Sequence, residues 1–301
     1  MNRSSQAVIE RLEARSAEIG GGLTIRRALP HLRRRTVGAW CFLDHAGPLD
    51  HAAGGGLRVG PHPHIGLQTF TWMIEGEVVH RDSLGNEQLI TPGQVNLMTA
   101  GRGIAHAEDS APGRAGRLHA AQLWIALPDA ERQRAPAFRN YPELPLVETG
   151  GFRVRVLAGS ALGGTSPAEV YSPLVGLDLT AETPASLALP LEPAFEHAAL
   201  TLSGRAGIEG EALVPGILLY LGAGRRELSV RCEEPVRLLL IGGVPFAEEV
   251  LLWWNFVART SAEIEQATGD WNAGRRFGTV AGSPSPPLVA PEAARLRAAH
   301  P

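Results

Sequence analysis

From Gly22 onward the chain alternates short apolar runs with clusters of Gly, Pro, Asn and Asp. Leu67-Gln68-Thr69-Phe70-Thr71-Trp72-Met73-Ile74, Val95-Asn96-Leu97-Met98 and Ala121-Gln122-Leu123-Trp124-Ile125-Ala126-Leu127 have strand length, and Glu75-Gly76, Leu84-Gly85-Asn86, Pro92-Gly93 and Ala100-Gly101 supply the turns. Many short strands at this spacing, with no helices alternating between them, predict an all-β sandwich or barrel. The texture recurs in Phe152–Leu157, Leu174–Leu179, Gly216–Leu221 and Val236–Ile241. Residues 128–146, rich in Pro, Arg and Glu, read as a linker. The chain therefore divides into an N-terminal domain, residues 1–140, and a C-terminal domain, residues 141–301. Their similar size suggests an internal duplication. Two stretches predict helix. Residues 2–20 carry Glu/Arg-rich helical periodicity, and Thr260-Ser261-Ala262-Glu263 forms a capping box opening a helix through about Asp270. Gly282-Ser283-Pro284-Ser285-Pro286-Pro287 fits neither a central strand nor a helix and is expected to run over the surface.

Composition narrows the function classes. At 44% apolar and 20% charged residues, the 301-residue chain can bury a core. A formal charge of −3 argues against partners recruited by bulk charge, so neither nucleic acid nor an anionic membrane is expected. Arg33-Arg34-Arg35 reads as a solvated strand edge. Every basic residue is Arg, which excludes P-loop and Schiff-base lysines. The two cysteines, Cys41 and Cys232, fall in separate domains and read as buried thiols, not a disulfide framework or a cysteine zinc site. The N-terminal residues lack an apolar signal segment and no run of about 18 apolar residues follows, so a cytoplasmic protein is expected.

Histidine changes the picture. Of ten, seven lie between positions 45 and 119. Gly60-Pro61-His62-Pro63-His64 sets two imidazoles at i and i+2, on one face of an extended segment and about 6.5–7 Å apart at the backbone. Pro63 cannot donate a ladder hydrogen bond, which places this pair on an edge strand or near a strand end. His106 and Glu108 form a second same-face pair, preceded by Gly101 and Gly103, which suit a positive-φ turn that aims His106 inward. If the two segments lie side by side in one sheet, three neutral imidazoles and one carboxylate surround a point. That is a ligand set for a divalent first-row metal: iron, Mn, Co, Ni, Cu or Zn. On an octahedral ion it leaves two positions for a bidentate substrate, or for a substrate atom and dioxygen. The other histidines are less telling. His80, beside Arg81-Asp82, reads as structural pairing at a hairpin end. His45 and Asp44 read as turn residues before Gly47-Pro48. His119 fits either a group hydrogen-bonding a ligand or substrate, or an ordinary half-buried strand histidine. Trp253-Trp254-Asn255-Phe256 reads as packing between domain and tail.

These residues resemble the pirin family, a bicupin group of the cupin superfamily. The resemblance rests on Val37-Gly38-Ala39-Trp40-Cys41-Phe42-Leu43-Asp44-His45, Pro61-His62-Pro63-His64-Ile65-Gly66, Glu75-Gly76-Glu77-Val78-Val79-His80-Arg81-Asp82-Ser83 and Met98-Thr99-Ala100-Gly101-Arg102-Gly103-Ile104-Ala105-His106-Ala107-Glu108. His119-Ala120-Ala121-Gln122-Leu123-Trp124 also fits. It is strong over residues 22–128, diffuse beyond, and returns at Arg276-Phe277-Gly278. It implies an all-β chain of two cupin (double-stranded β-helix, jelly-roll) domains with a short C-terminal helix. The N-terminal cupin would bind one metal, usually iron as Fe(II), through His62, His64, His106 and Glu108. The C-terminal cupin would lack ligands, with His197 standing alone. The implied activity is oxygen-dependent opening of a flavonol such as quercetin, with Glu108 also the catalytic base and a small aromatic enol and O2 as partners. The alternative is a metal- or redox-dependent regulatory role that binds a transcription factor or metabolic enzyme. Where the family often has Glu four residues after the second His, this chain has Gln68, a weaker, uncharged group better suited to supporting the ligands than to serving as one. His119 is the other candidate for that supporting role.

Overall fold

A computed structural model describes residues 8–20, 22–53, 55–110 and 115–293. The first half forms strands β1 (Glu10–Glu13), β2 (Arg15–Ile19), β3 (Leu23–Leu29), β4 (Trp40–His51), β5 (Arg58–His64), β6 (Leu67–Glu75), β7 (Val78–Asp82), β8 (Glu87–Ile90), β9 (Val95–Thr99), β10 (Ile104–Ser110), β11 (Gly116–Ala126) and β12 (Ala137–Tyr141). Strands continue to Ala258, and helix α1 (Ser261–Asn272) follows. The architecture is the all-β one expected from the alternating texture. Among the described residues no helix is long and apolar enough to cross a membrane.

Contacts divide the chain into two units, one of residues 17–25, 46–142 and 247–301, the other of residues 1–16, 26–45 and 143–246. The chain passes between them within β3 and β4. The division departs from a single cut near residue 140, because α1 and the segment around it belong with the histidine-bearing strands.

In the first unit a four-stranded sheet, β5-β10-β7-β8, faces a larger one ordered β12-β9-β6-β11-β4-β3-β2. Side chains meet between the sheets: His64 on β5 with Trp124 on β11, His80 on β7 with Phe138 on β12, and Glu108 on β10 with Thr71 on β6. The histidine-bearing strands thus line the interior of a sandwich. Leu23, Ile25, Met73, Val78, Ile90 and Leu118 close part of that interior with hydrocarbon. The reverse face of the small sheet presents Ala105 and Ala107, against which Phe256, Ile264, Ala267 and Phe277 pack. Small residues on the strand are what let this layer approach. Helix α1 begins at the expected cap, with Thr260 Oγ1 accepting from the Glu263 amide at 3.2 Å. The Glu263 carboxylate reaches back to the Arg259 amide at 2.8 Å, one residue earlier than an ideal capping box. The Pro-rich tail runs along the edge of the small sheet, the Leu288 amide donating to the Pro61 carbonyl at 2.8 Å. It covers backbone acceptors that an edge strand would leave open.

The second unit repeats the plan. Its seven-stranded sheet runs Glu10–Glu13, Ile217–Gly222, Glu196–Ser203, Val236–Gly243, Leu174–Ala181, Phe152–Ala158, Leu146–Thr149, beside a four-stranded sheet of Ala185–Pro190, Glu227–Cys232, Ala206–Ile208 and Glu211–Leu213. The pairing of a seven-stranded with a four-stranded sheet in both units supports the duplication. Here the interior is filled by Leu, Val, Ile and Phe side chains. Cys41 and Cys232 are buried and form no disulfide, as expected, but they do not fall in separate domains: both belong to this second unit, because residues 26–45 group with residues 143–246.

Three local expectations change. The N-terminal periodicity resolves into strands: β1 pairs antiparallel with Ile217–Gly222, Glu10 opposite Tyr220, and buries Leu12. A sheet edge with unpaired backbone groups overrides a helix that would have had one apolar contact to offer. Residues 1–7 lie outside the described residues. Within the expected linker, Ala137–Tyr141 is a strand paired with β9. Asp44 and His45 lie inside β4, not in a turn, and Asp44 accepts both Nε and Nη2 of Arg27 at 2.7 Å. Arg34 is likewise engaged, pairing with Glu10 at 3.0 Å and lying over the Tyr220 ring. Arg33 and Arg35 are exposed in the segment between β3 and β4.

Candidate metal centre

Strands β5 and β10 are hydrogen-bonded neighbours, His106 opposite His62 and Ile104 opposite His64. The two histidine motifs therefore meet in one sheet, and β5 is its edge strand, where Pro63 costs no ladder bond. A register shift opposite the step from His106 to Glu108 marks a bulge at Gly60-Pro61. Gly60 leaves no room for a side chain, since a Cβ there would stand 2.3 Å from the Pro286 carbonyl. Gly101 and Gly103 adopt φ of +52° and +145° in the turn that carries the chain from β9 to β10, as the approach to His106 required.

His62, His64 and His106 are buried and offer ligand atoms that all lie within 4.8 Å of one another, the one such group of three or more found among the described residues. Their hydrogen bonds fix where the ring protons sit. His62 Nδ1 lies 2.9 Å from the Gly60 carbonyl and His64 Nδ1 lies 3.0 Å from the Asn255 carbonyl. A carbonyl only accepts, so both Nδ1 atoms carry the proton. His106 Nδ1 lies 3.3 Å from His80 Nδ1, and His80 Nε2 lies 3.1 Å from Asp82 Oδ2. An ionised carboxylate also only accepts, so His80 protonates Nε2 and leaves Nδ1 to accept from His106.

The consequence is three Nε2 lone pairs aimed inward. His64 Nε2 and His106 Nε2 stand 3.0 Å apart. A proton shared between them would demand an imidazolium, which this setting opposes. Burial, and then the neighbouring imidazoles, hold His64 and His106 well below the ordinary histidine value. Burial likewise lowers His62 to about 4. Two facing acceptors in a dry interior call for a cation between them. The donor set thus fits a metal.

Glu108 lies two residues beyond His106 on the same face of β10, opposite His80 on β7. It is half-buried and bonded to Thr71. Burial raises its carboxyl above the usual range, against the pull of His80 and Thr71. Thr71 Oγ1 also stands 2.7 Å from Gln122 Oε1. The group closing within 4.8 Å consists of the three imidazoles and does not include Glu108. Gln68 is fully buried on β6 and donates from Nε2 to Thr99 Oγ1 at 3.0 Å. His119 is buried on β11 at a bulge, opposite Glu75.

Two contributors were not singled out by sequence reasoning. His80 does pair with Asp82, as expected, but its other nitrogen faces His106, and its ring stacks on Phe138 with centroids 4.1 Å apart and planes at 9°. His80 and Asp82 share the i, i+2 spacing of His62 and His64, which is the signal that would have found them. The Asn255 carbonyl left no such signal, because only backbone takes part. It is delivered by the hairpin Leu251–Trp253 and Phe256–Ala258, whose turn holds Trp254 at φ +50°. A bulky residue at positive φ is strained, and here the turn fixes a ligand ring.

Comparison with known proteins agrees with this geometry. The Pirin family model matches residues 22–125, and the model for the Pirin C-terminal cupin domain matches residues 176–278. A Pseudomonas aeruginosa protein named "Putative quercetin 2,3-dioxygenase PA1205" is 52% identical over 285 residues, covering 94% of this chain and 90% of that protein. A Caulobacter vibrioides pirin-like protein is 38% identical over 270 residues, 87% of this chain and 92% of its own. The crystal structure of a quercetin 2,3-dioxygenase from Acinetobacter baumannii superposes with a TM-score of 0.92 at 51% identity, over 94% of this chain and 95% of that one. With both family models matched in order and the three-histidine group in the first, the chain belongs to the pirin family and is a bicupin.

Proposed function

We propose that this protein is a mononuclear metal-dependent dioxygenase of the quercetin 2,3-dioxygenase type, holding iron(II) on His62, His64, His106 and Glu108. The observation that carries the reading is the set of outer nitrogens: each of the three rings has its Nδ1 bonded outward, so each Nε2 is free to ligate. The names of the Pseudomonas and Acinetobacter relatives, each about half identical to this chain, support the flavonol as substrate class.

A bound divalent iron would supply Lewis-acid polarisation of an enol oxygen and a site for dioxygen chemistry. The protein's own part is to position and to move a proton. Glu108, raised by burial yet still in contact with the polar Thr71, is suited to accept the substrate hydroxyl proton as general base. Gln68 and His119 would support the ligands from the facing sheet, where Trp124 stands edge-on to His64 at 5.2 Å. The apolar sandwich around them excludes bulk water, which strengthens each polar contact inside. A cytoplasmic setting suits two buried thiols that form no disulfide.

The test is oxygen uptake by the iron-loaded protein against a panel of flavonols. Uptake with quercetin is expected, lost in His62→Ala and reduced about 100- to 10,000-fold in Glu108→Gln, the range a positioned base supplies. Iron-replete protein that consumes no O2 with any flavonol contradicts the reading.

A further inference from the structure

We propose that His80 is a positioning residue for the metal centre: it selects the tautomer of His106 and holds that ring so its Nε2 lone pair enters the ligand group. The inference rests on the metal-binding reading above and deepens it.

The argument begins at Asp82. Its Oδ1 accepts the backbone amides of Leu84 and Asn86 at 2.9 and 3.1 Å, and its Oδ2 accepts Asn86 Nδ2 at 2.9 Å as well as His80 Nε2 at 3.1 Å. Burial alone would raise this carboxyl, but the bonds from His80 and Asn86 outweigh it and hold Asp82 below the usual carboxylate value. The carboxylate is thus an acceptor anchored by a turn. It accepts the Nε2 proton of His80, and the Phe138 face fixes the plane of the ring. One atom of His80 is then left to act, the Nδ1 lone pair, and it meets His106 Nδ1 at 3.3 Å. His106 can satisfy that contact only by donating, which leaves its Nε2 bare toward His64 and the centre. His62 and His64 obtain the same result from backbone carbonyls. For His106 a side chain does the work, so among the three imidazoles it is the one whose support a substitution can remove.

Zinc is the probe, because it is diamagnetic and takes imidazole ligands. In the zinc-loaded wild type, ¹⁵N-resolved spectra should show His106 with Nδ1 protonated and Nε2 metal-bound. His80→Leu removes the acceptor and should weaken zinc binding about 10- to 100-fold, measured by chelator competition. His80→Asn places an amide oxygen near the position of Nδ1 and should restore most of that loss, although its link to Asp82 is gone. A purely structural role would shift the apo unfolding midpoint while leaving zinc affinity and the His106 signals unchanged. A wild type with the His106 proton on Nε2 overturns the proposal. So does unchanged zinc affinity in His80→Leu, or an Asn variant as weak as the Leu variant. Wild-type protein that takes up no zinc overturns the metal-binding reading itself and this inference with it.

Discussion

His62, His64 and His106 are legible in the sequence because period-two spacing and a proline at an edge strand are statements about backbone geometry that any extended chain must obey. Their tautomers are not legible, since these depend on partners 2, 26 and 191 residues away. His197, outside that group, shows that burial is enough to lower an imidazole. It lies over Gly242 in the second unit, where a Cβ on that glycine would come within 2.6 Å of the ring, and burial lowers it to about 4. Between roughly pH 6.5 and 4 the unfolded chain therefore takes up a proton at this position that the native ring refuses, so stability falls with pH across that window. His197→Gln should flatten the slope of unfolding free energy against pH there, followed by urea titration at several pH values. An unchanged slope would show that the ring is not held neutral by its surroundings.

Strand by strand, the alternation of apolar runs and turn residues identified β6, β9, β11 and the capped helix, and the histidine spacing identified β5 and β10, because each of those segments satisfies its own local preferences. The failures share a cause. Glu10–Glu13 and Ala137–Tyr141 are edge strands with weak patterns, and each forms because a distant strand offers it open hydrogen bonds. The hairpin around Trp254 is the more consequential omission, since packing was visible in Trp253-Trp254-Asn255-Phe256 but its link to a ligand was not. Phe256 is fully buried between the small sheet and α1, and the residue before it holds His64. Phe256→Ala should cost about 3–5 kcal/mol of stability in urea unfolding by leaving a cavity. It should also weaken metal binding as the Asn255 carbonyl drifts. A variant destabilised to that extent but with unaltered metal affinity would uncouple the hairpin from the centre.

Taken whole, two units share one strand plan and differ in what fills them. In one the interior is closed by hydrocarbon; in the other a cluster of imidazoles sits where hydrocarbon would be. The shared plan fits a duplication, and the three imidazoles mark the unit in which chemistry can occur. The domain count was legible from texture, whereas the return of residues 247–301 to the histidine-bearing unit was not, because that grouping is made by contacts of Phe256, Ile264 and Phe277 far from their sequence neighbours. The central claim is that one cation is held by three imidazoles. X-ray absorption on the iron-loaded protein tests it most directly. One iron per chain is expected, with three imidazole nitrogens at about 2.0–2.2 Å and oxygen completing the shell. A shell with fewer than three imidazoles, or an identical spectrum from His64→Ala, would contradict it.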